Sequence, residues 1–113
     1  MTQAARVSSA LLALAGLAGA VVPRRVAESM DLDPRTGRGI LEVRAGLGAA
    51  YVALGLYAAL ANAPAAHRAV GAAWLGAASG RIAGMVLDEP RTDLIHWGSL
   101  ALELTGGFAA IRA

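Results

Sequence analysis

The chain contains no cysteine and no lysine, and only 4% of its 113 residues are aromatic. Without cysteine there are no disulfide bonds, no thiol redox chemistry and no zinc or iron–sulfur site held by thiolates. The ten basic residues are all arginines, and they are scattered rather than clustered. Because a nucleic-acid surface needs a basic patch or stripe, we expect no nucleic acid among the partners. An alanine- and arginine-rich chain without lysine also indicates a GC-rich bacterial genome.

Apolar residues are what the chain has in excess. They make up 57% of the sequence, with a mean hydropathy of +0.55, whereas ordinary soluble domains contain about 45–50%. The excess falls into four segments, at about residues 7–22, 40–61, 68–87 and 94–111. Each is close to the roughly 20 residues that a membrane-spanning helix needs. The sequence therefore predicts a single transmembrane domain, residues 1–113, that folds as an all-α integral membrane protein with an antiparallel bundle of four transmembrane helices.

Prolines mark the connections between these segments. All four lie outside the apolar runs, as expected of a residue that ends helices: Pro23, Pro34, Pro64 and Pro90. The first connection, residues 23–39, is the longest, and the spacing of Val26 and Met30 favours a short helix lying on the membrane surface. Two acids before a proline, Asp31 and Asp33, are typical of a turn rather than of a metal site. We expect no metal and no cofactor.

The first apolar segment has a second interpretation. Arg6, the apolar run and Ala18-Gly19-Ala20 resemble a secretory signal with a small-residue cleavage site. We favour a retained span, because its removal would leave an odd number of spans. Five arginines on one side against three on the other lean weakly towards both termini outside. The expected location is the bacterial inner membrane, as a multi-pass protein.

Small residues recur at helical spacing on the third segment. Gly76, Gly80 and Gly84 lie four residues apart and therefore share one helix face. In lipid, where helices are not driven together hydrophobically, such faces let two backbones approach closely. We expect this stripe to pack inside the bundle, with a contact in a homo-oligomer as the alternative.

Four charged residues lie inside the apolar segments: Glu42, Arg44, Arg81 and Glu103. Charge at bilayer depth is expensive, so such residues usually face a bundle interior and mark a functional site. At α-helical spacing Arg44 and Tyr51 share one face. We expect Arg44 and Arg81 to face Glu103, while Tyr51 and His96 line the approach. The candidate ligand-binding set is Glu42, Arg44, Tyr51, Arg81, Asp88, His96 and Glu103, with Glu103 as the candidate catalytic acid.

Several of these residues also have ordinary structural interpretations. Glu42 suits a helix N-terminus, where the helix dipole favours an acid. Arg44 can extend its long side chain to the membrane interface, and Asp88 can be a solvated loop residue. Arg81 and Glu103 are harder to explain in this way. A purely structural ion pair between them stays open, because burying either charge alone would be worse.

The segments around these charges resemble a known family. Leu41–Gly48 is similar to the family's Glu-x-Arg-x-x-x-Gly stretch at the start of the second helix, and Gly80–Asp88 to its Gly-Arg…Asp stretch at the end of the third. Glu103 matches an acid in the fourth helix. The family is a set of small bacterial four-helix membrane proteins called domain of unknown function 4345, similar more distantly to DoxX-like proteins.

This resemblance covers roughly residues 5–110 and implies a four-helix bundle. The chain has Gly48-Ala49 where a double glycine is common, a mild departure that affects helix contact more than chemistry. The family name carries no biochemical function. The site that the resemblance implies comprises Glu42, Arg44, Arg81, Asp88 and Glu103.

Together these features predict a charged intramembrane pocket that binds a small amphipathic or lipid-like molecule, with Arg44 and Arg81 holding an anionic or carbonyl oxygen. Three alternatives stay open. One is a small proton-coupled transporter, and another is an acid–base isomerase or cyclase acting on an apolar substrate, each using Glu103 as its acid. The last is a structural partner subunit without a ligand. The expected partners are membrane lipids, the amphipathic ligand and a second copy of the chain.

Overall fold

The computed structural model describes residues 2–113, and within that range all regular structure is helical. Four helices are long and apolar enough to cross a membrane, and they correspond to the four predicted spans. Three of them begin a few residues earlier than predicted. Residue 1 of the predicted domain lies outside the described residues. The helices in chain order are α1 (Thr2–Val21), α2 (Pro23–Ser29), α3 (Gly37–Ala61), α4 (Pro64–Leu87) and α5 (Leu94–Ile111), of which only α2 is short.

The helix starts follow from local sequence. Pro23 and Pro64 occupy the first turns of α2 and α4, where the missing N–H is not needed. The Thr36 side chain caps α3, and the Asp93 carboxylate caps α5 by accepting from the His96 N–H across 2.9 Å. Two of the prolines therefore begin helices rather than only separating them, and α2 lies in the connection for which a short helix is predicted.

Three connections contain a residue with positive φ that is not glycine. Asp31 (φ 55°) follows α2, Asn62 (φ 49°) follows α3 and Glu89 (φ 45°) lies just beyond α4. At the first of these, the Leu32 N–H donates to the Ala27 carbonyl across 2.8 Å, which is the long bond of a Schellman motif. Asp31 thus belongs to a helix-ending turn, as its sequence context predicts.

α3 is not α-helical throughout. Over Val43–Ala49 its hydrogen bonds follow the π-helical pattern, and the α-helix resumes at Ala50. A π-turn contains more residues than the 3.6 of an α-turn, so side chains on either side are rotated relative to ideal α-helical phase. The predicted shared face of Arg44 and Tyr51 requires α-helical spacing, which does not hold over this segment.

α1 is the helix around which the others pack. It lies mainly against α3 and also contacts α4 and α5, while α4 packs along α5. Each long helix contributes at least one side chain to a common hydrophobic core. The buried members of that core are Leu12, Ala58, Val70, Trp74 and Ala110.

Glycines bring pairs of helices into backbone contact. A Cβ atom on Gly55 would lie 2.5 Å from the Ala13 nitrogen, and one on Gly16 would lie 2.6 Å from the Val52 nitrogen. A Cβ atom on Gly71 would lie 2.5 Å from the backbone of α5. Real Cβ atoms do not approach backbone atoms so closely, so α1 can meet α3, and α4 can meet α5, only because these residues have no side chain.

The glycine stripe of α4 points elsewhere. Among the described residues, a Cβ atom on Gly76 or Gly80 would have no neighbour within 4 Å, and one on Gly84 would meet only the Asp88 side chain at 3.4 Å. The expectation that this stripe packs inside the bundle is therefore wrong. Helical spacing shows which residues share a face, but it does not show which way the face points.

A small polar network lies in the core where α3 meets α4. Ser9 and His67 are fully buried. The Ser9 hydroxyl lies 2.7 Å from His67 Nδ1, and His67 Nε2 lies 2.8 Å from the Asn62 side-chain oxygen. Because an amide oxygen only accepts hydrogen bonds, His67 Nε2 carries a proton and donates a hydrogen bond to the Asn62 oxygen. Full burial leaves no access for a substrate, so the role of this network is structural. Its hydrogen bonds tie α1 to the α3–α4 turn.

The close contact at Gly55 predicts a contrast between two Gly→Ala variants. Gly55→Ala should destabilise the fold by about 1–3 kcal/mol, because the new methyl group must displace α1 backbone. Gly80→Ala should leave stability unchanged or raise it, because alanine favours helix over glycine by about 1 kcal/mol. Thermal unfolding in detergent, followed by circular dichroism, measures both. Equal destabilisation by both variants would contradict the outward direction of Gly80 on α4.

The non-glycine residues with positive φ predict a second contrast, between Glu89→Gly and Asn62→Gly. Glu89→Gly should stabilise the fold by about 1 kcal/mol, because only glycine adopts positive φ without steric cost. Asn62→Gly relieves the same strain but removes the acceptor of a buried histidine, and leaving a buried donor unpaired costs about 1–3 kcal/mol. Asn62→Gly should therefore lower the unfolding temperature. If it raised that temperature as Glu89→Gly does, the buried network would have no stabilising role.

Candidate functional site

Arg81 on α4 and Glu103 on α5 form the one buried ion pair within residues 2–113. Arg81 Nε lies 2.8 Å from Glu103 Oε1, and Arg81 Nη2 lies 2.9 Å from Oε2. Two parallel N–H···O bonds make this a bidentate pair, the strongest and most directional kind. Glu103 is 7% exposed, whereas the Arg81 side chain is 24% exposed. The pair therefore holds α4 and α5 in register and leaves part of the guanidinium accessible.

His96 contacts the remaining end of that guanidinium. Arg81 Nη1 lies 3.5 Å from His96 Nδ1, and His96 Nε2 lies 3.2 Å from the Met85 sulfur. Because a guanidinium can only donate, Nδ1 is the acceptor and Nε2 carries the proton. A metal ion on Nε2 would require the proton on Nδ1, where it would face the Arg81 N–H. The surroundings of His96 therefore suit a hydrogen-bonding residue and not a metal ligand.

The accessible part of Arg81 borders a cleft of about 630 Å³. That volume lies within the roughly 300–1,000 Å³ of small-molecule sites. The walls come from the end of α2, from Arg81, from the connection before α5 and from the first turns of α5. Glu103 supports the cleft through Arg81 without lining it. The lining residues are Glu28, Ser29, Met30, Asp31, Arg81, Pro90, Arg91, Thr92, Asp93, Ile95, His96 and Ser99.

Carboxylates outnumber basic groups around this cleft. The Arg81 charge is already matched by Glu103, and Arg91 is the other arginine that lines the cleft. A free anion entering the cleft would face like charge, whereas an uncharged oxygen could accept a hydrogen bond from the accessible part of the Arg81 guanidinium without that penalty. The cleft is therefore chemically suited to a neutral polar group. The acids that line it are Glu28, Asp31 and Asp93.

Two predicted site residues lie on the surface and take part in ordinary helix-end contacts. Glu42 pairs with Arg38 one turn earlier, with 3.5 Å between Oε1 and Nε, and both side chains are mostly exposed. Asp88 ends α4, where its N–H donates to the Gly84 carbonyl across 2.8 Å. Neither residue lines the Arg81 cleft.

Arg44 and Tyr51 occupy different surroundings from each other. Arg44 is exposed and donates from Nη1 to the Ala20 carbonyl at the end of α1, so it lies apart from the Arg81–Glu103 pair. Tyr51 is half-buried and packs against the hydrophobic core, and it does not line the Arg81 cleft. The structure thus brings together Arg81, His96 and Glu103, and does not bring Arg44 to them.

Sequence reasoning missed the contribution of α2 to the cleft. Glu28, Met30 and Asp31 lie fifty or more residues before Arg81 in the chain, yet they line the same cleft. No local pattern signals this contact, because it depends on how the connection after α1 folds back over α4 and α5. The only available signal is the high density of acids between α1 and α3.

Comparison with protein-family models, with curated proteins and with solved structures gives no match. The resemblance to domain of unknown function 4345 therefore depends on the short motifs Leu41–Gly48 and Gly80–Asp88 and on Glu103, and it stays a prediction. The proposed function therefore depends on the geometry of the cleft alone.

Because Glu103 is more deeply buried than Arg81, we expect substitutions at the two positions to reduce stability by different amounts. Arg81→Leu should destabilise the fold by about 3–5 kcal/mol, because it leaves the carboxylate of Glu103 buried and unpaired. Glu103→Leu should cost less, because the freed guanidinium still reaches the open cleft. The double variant should recover most of the loss in Arg81→Leu, since a well-packed apolar pair can replace a buried ion pair. Thermal unfolding of all three measures this, and additive losses in the double variant would disprove the coupling.

Proposed function

We propose that this chain is a multi-pass protein of the bacterial inner membrane, in which α1, α3, α4 and α5 cross the bilayer as an antiparallel bundle. Their length and apolar composition support this. So do large apolar side chains on the outside of the bundle: Leu14, Leu60 and Val86 are 61%, 71% and 77% exposed. In water such a surface would be an aggregation liability, whereas lipid covers it. Membership of the domain of unknown function 4345 family is part of the same proposal.

Within this frame, the Arg81 cleft binds the polar end of a small amphipathic or lipid-like molecule. One observation carries this proposal: a cleft of about 630 Å³ borders the accessible part of an arginine whose other part is held by a buried glutamate. The pair orients the guanidinium before any ligand arrives, which reduces the ordering that binding would otherwise require. Ile95 adds an apolar wall beside the polar groups.

The polar end of this ligand is a carbonyl or hydroxyl oxygen. The sequence suggested an anionic or carbonyl oxygen held by two arginines, but Arg44 lies elsewhere. Without Arg44, and with the Arg81 charge matched by Glu103, the cleft retains hydrogen-bond donors without an excess of positive charge. A neutral oxygen fits that combination better than an anion does.

The other classes receive less support. A transporter or an isomerase would use Glu103 as an acid, yet both of its oxygens already accept hydrogen bonds from Arg81. An assembly of two copies is the second candidate, because Gly76 and Gly80 present an open small-residue face on α4. Such faces support close helix contact in lipid. The two proposals are compatible, since the stripe does not line the cleft.

Filling the cleft tests the binding proposal. In Ser99→Phe the new side chain fills part of the cleft, and the co-purifying amphiphile should fall at least about fivefold, as expected for losing roughly 1 kcal/mol of binding. Gly98→Phe is the matched control, because Gly98 is the next residue on α5 and faces open space. Organic extraction of protein purified in mild detergent, followed by mass spectrometry, measures the bound molecule.

Three outcomes are informative. Loss in Ser99→Phe with retention in Gly98→Phe supports the cleft as the binding site. Equal retention in both variants contradicts it. A wild-type protein that carries no neutral oxygen-containing amphiphile above the level of an unrelated membrane protein, prepared in the same way, also contradicts it.

A further inference from the structure

A second cleft lies beside the end of α1. It encloses about 310 Å³ and shares no lining residue with the Arg81 cleft. Three of its lining residues are arginines and none is an acid, so the lining has a formal charge of +3. It is a separate feature with the opposite charge balance. The residues that line it are Val21, Val22, Pro23, Arg24, Arg25, Ile40 and Arg44.

These three arginines have no carboxylate partner. Within residues 2–113, Arg24, Arg25 and Arg44 take part in no ion pair. Arg24 also borders a neighbouring cleft that contains acids, but it does not contact them closely enough to form a pair. The ion pairs in this part of the chain are Arg35 with Asp33, Arg38 with Glu42, and Arg81 with Glu103.

Arg44 is held in place by α1. Its Nη1 donates to the Ala20 carbonyl in the last turn of that helix. The last carbonyls of a helix lack partners within the helix, and a basic side chain there is favoured by the helix dipole. The contact fixes Arg44 at the junction of α1 and α2, where Arg24 and Arg25 begin the next helix.

An apolar strip leads away from the arginines along α1. Leu14, Leu17 and Val21 are spaced by three and four residues and therefore share one face. They are 61%, 50% and 63% exposed. The cleft thus joins a cationic end to an apolar surface on which part of an acyl chain can lie.

We propose that this cleft binds the phosphate group of an anionic phospholipid, whose acyl chains lie along the strip on α1. Guanidinium groups match phosphate oxygens in charge and geometry, and basic pockets beside spanning helices attract anionic headgroups. The inference depends on the proposed position of the chain in a bilayer, but not on any ligand in the Arg81 cleft.

The test uses the purified full chain in nanodiscs with equal amounts of phosphatidylglycerol and phosphatidylcholine. Native mass spectrometry counts the lipids that stay bound. The wild type should retain phosphatidylglycerol preferentially. In Arg24→Gln/Arg25→Gln the preference should fall about tenfold or more, because each arginine near an anionic headgroup contributes roughly fivefold. Adding Arg44→Gln should remove the rest.

The matched control is Arg35→Gln/Arg38→Gln, which removes the same charge from arginines that are already paired with acids. It should keep the preference. An equal loss in both double variants, or no preference in the wild type, would overturn the lipid site and leave the Arg81 cleft unaffected. Failure to enter nanodiscs would instead contradict the membrane position itself. If inorganic phosphate alone abolished the preference, the ligand would be a soluble phosphate and not a lipid.

Discussion

The candidate site depends on one interaction, the bidentate pair between Arg81 and Glu103. Burying either charge without a partner between α4 and α5 would be costly, so the two helices place Arg81 and Glu103 in contact. The planar fork of the guanidinium then fixes its orientation, with Nη1 towards His96 and its accessible part towards the cleft. The result is a hydrogen-bond donor whose net charge is cancelled locally. Such a group can orient a neutral polar ligand without also concentrating anions from solution.

The rest of the fold is two close helix pairs joined by polar contacts. Glycines set the distance within each pair: Gly55 brings α3 onto α1, and Gly71 brings α4 onto α5. Serines act between the pairs. The Ser8 hydroxyl donates to the Gly106 carbonyl across 2.7 Å, and Ser9 contacts His67 on α4. In lipid this division is physically reasonable, because close backbone packing and interhelical hydrogen bonds replace the hydrophobic effect as the forces between helices.

Local properties of the sequence predict the four long helices and the meeting of Arg81 with Glu103. Length and apolarity are properties of a segment, and two opposite charges at similar depth have few other partners. The position of Arg44 could not be predicted, because it depends on the π-helical segment of α3, which changes the helical phase that the argument assumed. The outward direction of Gly80 and the approach of Asp31 to the cleft are tertiary facts. Helical spacing determines neither of them.

The same residue type has two different surroundings here, and depth explains the difference. Within the bundle a guanidinium needs a protein carboxylate, because no other counter-charge is available there, and Arg81 has one. At the end of a span, water and lipid phosphates can supply the counter-charge, so Arg24, Arg25 and Arg44 do not need acids from the chain. Whether an arginine without a carboxylate partner indicates an anion site therefore depends on how deep it lies in the proposed bilayer. In a bilayer, the paired arginine suits a neutral ligand and the unpaired cluster an anionic one, so we expect the two proposed sites to bind different molecules although both are built around arginine.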